Sequence, residues 1–136
     1  MIALLIITHG NLARELVAAA RKIVPGAGPL EAVTIDWEDD PEVCHARIAR
    51  AIEIADQGDG VILATDMFGG TPTNIALSFL EEGRVEVVTG VNLPMVIKFT
   101  NLHREMTLHE AARTIADRGR GAITVAGEII ARPREE

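Results

Sequence analysis

Short apolar runs alternate with amphipathic segments along this chain, and that alternation restricts its fold more than any other feature. Ile2–Ile7 is continuously apolar and rich in β-branched side chains, the pattern of a strand covered on both faces. Glu31–Asp36, Gly60–Thr65 and Val85–Thr89 read as three further strands. Between the first two, Asn11 reads as the cap of a helix with Leu12, Leu16, Ala19, Ala20 and Ile23 on one face. Pro25, Gly26, Gly28 and Pro29 end it. Asp40-Pro41 is a cap followed by proline at the first helical position, and the helix it opens groups Cys44, Ile48, Ala51, Ile52 and Ala55. Thr71-Pro72 repeats that signal ahead of Ile75, Ala76, Phe79 and Leu80. Pro94 to about Leu102 reads as a short helix, and Thr107 with Glu110 is a capping box that opens another. Ala122–Ile130 reads as a last strand, with Gly127 at a bulge.

Strands alternating with helices across short connections predict parallel β-α-β units. The expected class is α/β: a three-layer, doubly wound, mostly parallel open sheet with helices on both faces. A chain of 136 residues is one domain of ordinary size, here expected over 1–131 with a short charged tail over 132–136. Right-handed crossovers carry the strand-to-helix loops to one edge of the sheet, where ligands of such sheets bind. Loops 8–11, 36–40, 66–72 and 90–94 are therefore the place to look for chemistry.

Composition removes several classes. Asp plus Glu number 20 against 13 Lys plus Arg, a formal net charge of -7, which argues against binding nucleic-acid backbones or anionic membranes. Aromatic residues are 3% with no Tyr, so a stacked base or flavin is not expected. The single cysteine, Cys44, leaves no intrachain disulfide and no cysteine zinc site. No apolar run approaches the roughly 20 residues of a membrane helix. Met1–Ile7 has no basic start and no cleavage site, so it reads as a strand rather than a secretory signal, and a cytoplasmic location is expected.

The functional edge carries the unusual residues. Thr8-His9-Gly10-Asn11 follows the first strand, Asp66-Met67-Phe68-Gly69-Gly70-Thr71-Pro72-Thr73-Asn74 the third, and Gly90-Val91-Asn92-Leu93-Pro94 the fourth. A lone histidine at a strand end is ordinarily a surface residue. At this edge, with Gly10 beside it, His9 is a candidate nucleophile, since neutral imidazole attacks well near pH 7. Asp66 is ordinarily a turn residue. In a functional role it would accept the proton of one ring nitrogen, fix the tautomer and stabilise the ring once the other nitrogen carries a group. Gly69-Gly70-Thr71 is a turn with Thr71 as helix cap, and equally a cradle of backbone N–H groups and one hydroxyl for an anion. No Walker loop and no G-x-G-x-x-G is present. Imidazole, carboxylate and anion cradle together point to phosphoryl transfer onto His9, which mostly needs positioning and charge stabilisation. No metal or other cofactor is called for, because a phosphohistidine donor is already activated.

These motifs resemble the enzyme IIA domain of the mannose-type sugar phosphotransferase system (PTS). The resemblance runs from Ile2 to about Leu102 and rests on three motifs in order: an apolar strand ending T-H-G (Ile2–Gly10), D-x-x-G-G-T-P-x-N (Asp66–Asn74) and G-V-N-L-P-M (Gly90–Met95). It implies that His9 is phosphorylated by the histidine phosphocarrier protein HPr, that Asp66 is its partner, and that Thr71 lines the phosphate site. It implies delivery to a cysteine on an enzyme IIB subunit, expected as a separate chain because no Ala/Pro-rich linker follows. It also implies a homodimer in which an antiparallel C-terminal strand, here Ala122–Ile130, is exchanged between subunits.

Three other readings stand beside this one: a regulatory protein whose His9 phosphorylation state controls a partner without sugar transport, a phosphoryl donor for dihydroxyacetone kinase, and a flavodoxin-like nucleotide or flavin module. Met67 and Phe68 form an apolar loop tip suited to partner docking. Asn92 reads as a helix cap or as support for the Asp66 loop. Trp37 and Asp36 could reach the rim. His45 reads as a solvated residue near the start of the second helix, and His103 and His109 as surface residues around the last helix with no obvious carboxylate partner.

Overall fold

The computed structural model describes residues 1–36, 38–103 and 105–130. Its elements are β1 (Ala3–His9), α1 (Leu12–Ile23), β2 (Leu30–Ile35), α2 (Pro41–Ala55), β3 (Val61–Thr65), α3 (Thr71–Leu77), β4 (Val85–Thr89), α4 (Leu93–Phe99), α5 (Leu108–Gly121) and α6 (Ala126–Ile130). The four strands form one parallel sheet in the order β2-β1-β3-β4. The chain steps from β1 outward to β2, then returns across β1 to β3. The C-terminal ends of β1 and β3 thus flank the point where strand order reverses, and His9 and Asp66 lie at those ends.

Alternation along the central strands builds a core on each face of the sheet. Leu4 and Ile6 of β1 pack with Ala13, Val17 and Ala20 of α1, Val96 and Phe99 of α4, and Ile115 of α5. Ala3, Leu5 and Ile7 pack with Cys44, Ile48 and Ile52 of α2 and Ala76 of α3. β1 and β3 are buried along nearly their whole length, which is why they read as unbroken apolar runs.

The local signals of α2 and α5 act as expected. The Asp40 side chain accepts the Glu42 N–H with Pro41 in the first turn, and Thr107 and Glu110 form the reciprocal capping box. The first helix differs. Asn11 stands at the N-cap position but makes no side-chain cap bond. The buried Thr8 hydroxyl accepts the Ala13 N–H instead, at 2.7 Å. The helix turns Ala13, Val17 and Ala20 inward and leaves Leu12 and Ile23 exposed, because small residues let it approach the sheet closely. Replacing Thr8 with Val should cost about 1–2 kcal/mol, as loss of a cap does. Urea unfolding should show this as a lower midpoint at unchanged m-value.

The last segment is not a strand. α5 runs to Gly121 and residues 126–130 form the short helix α6, with Gly127 inside it. Among the described residues no strand pairs with this segment, and its backbone bonds locally: the Glu128 N–H donates to the Val125 carbonyl at 2.9 Å. Ile123, Val125, Ile129 and Ile130 are left exposed. The charged tail over 132–136 lies outside the described residues.

The two sheet edges differ. The Leu4 N–H donates to the Pro29 carbonyl, so the carbonyls of Leu30, Ala32 and Thr34 point away from β1. Arg21 donates to the outward Leu30 carbonyl, and Arg47 to that of Thr34 at 2.7 Å. At the β4 edge, Glu86 accepts the Val87 N–H at 3.0 Å and lies 3.2 Å from the ring of His109.

Candidate active site

His9 and Asp66, 57 positions apart in sequence, meet at the switch point of the sheet. One carboxylate oxygen, Oδ2, lies 2.7 Å from His9 Nδ1 and accepts the His9 backbone N–H at 3.0 Å. The other, Oδ1, accepts the Met67 N–H at 3.0 Å. The carboxylate is therefore held from three directions. Burial pushes its pKa up, but the ring and backbone N–H bonds from His9 pull harder, and the group titrates below the ordinary 3.8. An ionised Asp66 puts the proton of a neutral His9 ring on Nδ1 and the lone pair on Nε2.

This pair makes stability depend on pH, and the sign follows from the lowered value. The contribution of Asp66 is fully present above its unfolded pKa, about 3.9. It is lost as pH falls through the lower folded value. Asp66→Asn should therefore flatten the acid limb of the stability profile below about pH 4. Thermal melts of both proteins across that range would check it.

The glycine pair has a more specific part than backbone exposure. Gly69 has φ +94, a conformation in which a side chain would be strained. Gly70 has an ordinary extended backbone, φ -90, and is needed for space. A Cβ there would lie 2.6 Å from His9 Cε1 and 3.1 Å from Nε2. The loop therefore packs its backbone against the ring edge that carries Nε2. Thr71 is the first residue of α3, with Gly70 at the N-cap, and its hydroxyl makes no capping bond. The expectation of a Thr71 cap is thus corrected: Gly70 takes that position, and Thr71 is exposed beside it.

Other predicted residues fall less centrally. Met67 and Phe68 form an exposed tip, 56% and 73% accessible. Asn92 caps α4 by accepting the Met95 N–H at 3.1 Å, and its amide donates to the Gly119 carbonyl of α5. It makes no bond to the Asp66 loop. The neighbouring link is from backbone to backbone, Val91 N–H to the Thr65 carbonyl at 2.9 Å. His109 does have a carboxylate partner, Glu86, and His45 stacks on Phe79 with centroids 4.4 Å apart. Both lie outside the His9 constellation, and Trp37 lies outside the described residues. A groove beside β4 and α5, lined by Glu86, Val88, Met95, His109 and Ala116, contains neither His9 nor Asp66. Among the described residues no acidic, His or Cys cluster is placed to hold a metal, and no helix is long and apolar enough to cross a membrane.

Sequence reasoning missed three buried threonines. Thr8, Thr65 and Thr73 are each 0% accessible. Thr8 positions α1 directly after His9, and Thr65 and Thr73 join hydroxyls at 2.6 Å beneath the Asp66 loop. A threonine near the end of an otherwise apolar strand, as in Leu4–Thr8 and Val61–Thr65, was the available signal.

The site is thus an imidazole oriented by a carboxylate at a sheet edge, facing a glycine turn into a helix. The family described as PTS system fructose IIA component matches residues 3–116, and the chain belongs to it. It is 26% identical over 129 residues to the PTS fructose-specific enzyme IIA component of Bacillus subtilis, covering 94% of this chain and 88% of that protein. The mannose/sorbose-specific IIA subunit from Enterococcus faecalis superposes with a TM-score of 0.81 at 26% identity, covering 98% of each chain. A phosphotransferase component IIA from Streptococcus agalactiae, 18% identical, shares the fold with a TM-score of 0.82 over 94% of this chain and 99% of that one. Family membership makes this chain a component of the PTS type, with other PTS proteins as its partners.

Proposed function

We propose that the protein is a phosphoryl carrier that accepts a phosphoryl group on His9 from phosphorylated HPr and passes it to an enzyme IIB subunit in sugar uptake. The 2.7 Å contact between His9 Nδ1 and Asp66 is the observation that carries this reading. With the proton held on Nδ1, the Nε2 lone pair attacks the phosphorus of the donor phosphohistidine. The new N–P bond forms as the donor's N–P bond breaks, and the ring becomes cationic against the ionised Asp66. Transfer onward reverses these steps, with a nucleophilic side chain of IIB attacking the phosphorus as the His9 N–P bond breaks. Gly69, Gly70 and Thr71 border the incoming phosphoryl oxygens: first-turn N–H groups of a helix lack intrahelical acceptors, and the Thr71 hydroxyl is not used for capping. Met67 and Phe68 supply apolar contact to the visiting protein. A reaction between two proteins suits a nucleophile at an open edge, and the His9 side chain is 24% accessible.

The protein works in the cytoplasm beside HPr on this reading, and as a homodimer that covers the exposed Ile123, Val125, Ile129 and Ile130. Incubation with phosphoenolpyruvate, enzyme I and HPr tests the carrier step by intact mass. One phosphoryl group, labile in acid and stable in base, is expected. An unmodified, folded protein would overturn the reading. Adding IIB then separates transport from regulation: loss of the group to IIB is expected of a transport component, retention of a regulatory one.

A further inference from the structure

The geometry points to Thr73, backed by Thr65, as a positioning residue for phosphoryl transfer at His9, acting through the Met67 peptide and Asp66; this rests on the carrier reading above. Thr65 closes β3 and Thr73 lies in the first turn of α3, so the two straddle the loop that carries Asp66 and the glycine pair. Both side chains are completely buried, where an unmade hydroxyl bond is costly. The direction of their bonds is fixed by chemistry. Thr73 Oγ1 lies within hydrogen-bond reach of the Met67 carbonyl, which can only accept. The Thr73 proton therefore goes to Met67, and Thr73 Oγ1 accepts the proton of Thr65, 2.6 Å away.

The Met67 backbone is in this way held at both ends. Its carbonyl takes the Thr73 proton, and its N–H donates to Asp66 Oδ1. Asp66 Oδ2 then holds the His9 ring. The chain of bonds runs from two buried hydroxyls to the tautomer of the nucleophile. It lies under a loop whose own side chains, Met67 and Phe68, are exposed and contribute little packing. Without the hydroxyl anchor, the loop would be tied down mainly by the groups it has to orient.

The test compares Thr73→Val, which keeps the shape and removes the donor, with Thr73→Ser, which keeps the donor. Two quantities are read: the rate of His9 phosphorylation by phosphorylated HPr, and the nitrogen NMR signals of the His9 ring without any phosphoryl donor. Thr73→Val should slow transfer about 10–100-fold, the scale of a small misplacement of reacting groups, and shift the ring signals away from a single Nδ1–H tautomer. Thr73→Ser should stay within about threefold of the parent, a change below 1 kcal/mol. A folded Thr73→Val protein with parental rate and parental ring signals would overturn the proposal. Should Thr73→Val fail to fold, Thr65→Val decides, with a loss of at least about threefold and a ring shift in the same direction expected, and no change in either overturning it. If the parent protein accepts no phosphoryl group, the carrier reading falls, while the ring signals still judge the positioning role.

Discussion

His9→Ala is expected to take up no phosphoryl group from phosphorylated HPr while keeping its fold. The reacting lone pair is on the ring, and no other described side chain shares this contact with Asp66. His45 stacks on Phe79, His109 pairs with Glu86 and the His103 ring accepts the Glu105 N–H, so none can substitute at the switch point. The cost to stability should be small, about 0.5–1.5 kcal/mol for one lost hydrogen bond. The carboxylate keeps the His9 and Met67 backbone N–H groups as donors. Intact mass with and without the phosphorylating proteins, beside a thermal melt, measures both effects. Phosphorylation of the alanine variant to the parental level would move the nucleophile elsewhere.

Gly70→Ala should be the next most damaging change, for a reason separable from backbone strain. The Gly70 backbone is open to any residue, so the whole effect comes from one methyl group placed 2.6 Å from His9 Cε1. Loop or ring must shift by several tenths of an ångström, and the 2.7 Å contact with Asp66 is the one exposed to that shift. Transfer should fall about 100-fold, and stability by about 1–3 kcal/mol as for other overpacked sites. The clash needs the ring, so in a His9→Ala background the same substitution should cost almost nothing. A double-mutant cycle by urea unfolding would show the difference as a coupling energy. Equal costs in both backgrounds would mean that the glycine serves the turn and not the ring.

Much of this arrangement was legible in the sequence because its causes are local. Val85–Thr89 is bounded by glycines, Asp40-Pro41 caps its own helix, and Thr107 and Glu110 satisfy one another within one turn. The residues at the edge could be listed because βα topology alone collects strand-to-helix loops on one side. What escaped depends on register and distance in space. The phase of α1 is set by Thr8 reaching back from the preceding strand, which a helical wheel drawn from Asn11 does not contain. The bond between Thr65 and Thr73 exists only once β3 and α3 are packed together. Gly70 reads as flexibility in sequence and acts as clearance in space, because the ring it accommodates comes from 61 positions earlier. Glu86 and His109 lie 23 positions apart and meet only because α5 packs beside β4. Ala122–Ile130 has the composition of a strand, but composition does not supply a neighbour to pair with.

The arginine donors on β2 also bear on how copies of this chain could associate. A parallel sheet with two receptive edges can add subunits head to tail, β2 of one copy against β4 of the next. Such a contact repeats without limit and yields a filament. Here two of the three outward carbonyls of β2 already have guanidinium donors, so that side accepts another strand only by losing both. The β4 side is occupied in its own way: the Val85 N–H donates to the Glu81 carbonyl, the Glu81 N–H donates to the Val85 carbonyl, and Glu86 accepts the Val87 N–H. A strand added at either side has to displace bonds that the chain already makes to itself, so head-to-tail growth is opposed at both ends. The sheet is kept from polymerising by its own turns and side chains, without any residue having to recognise how many copies are present.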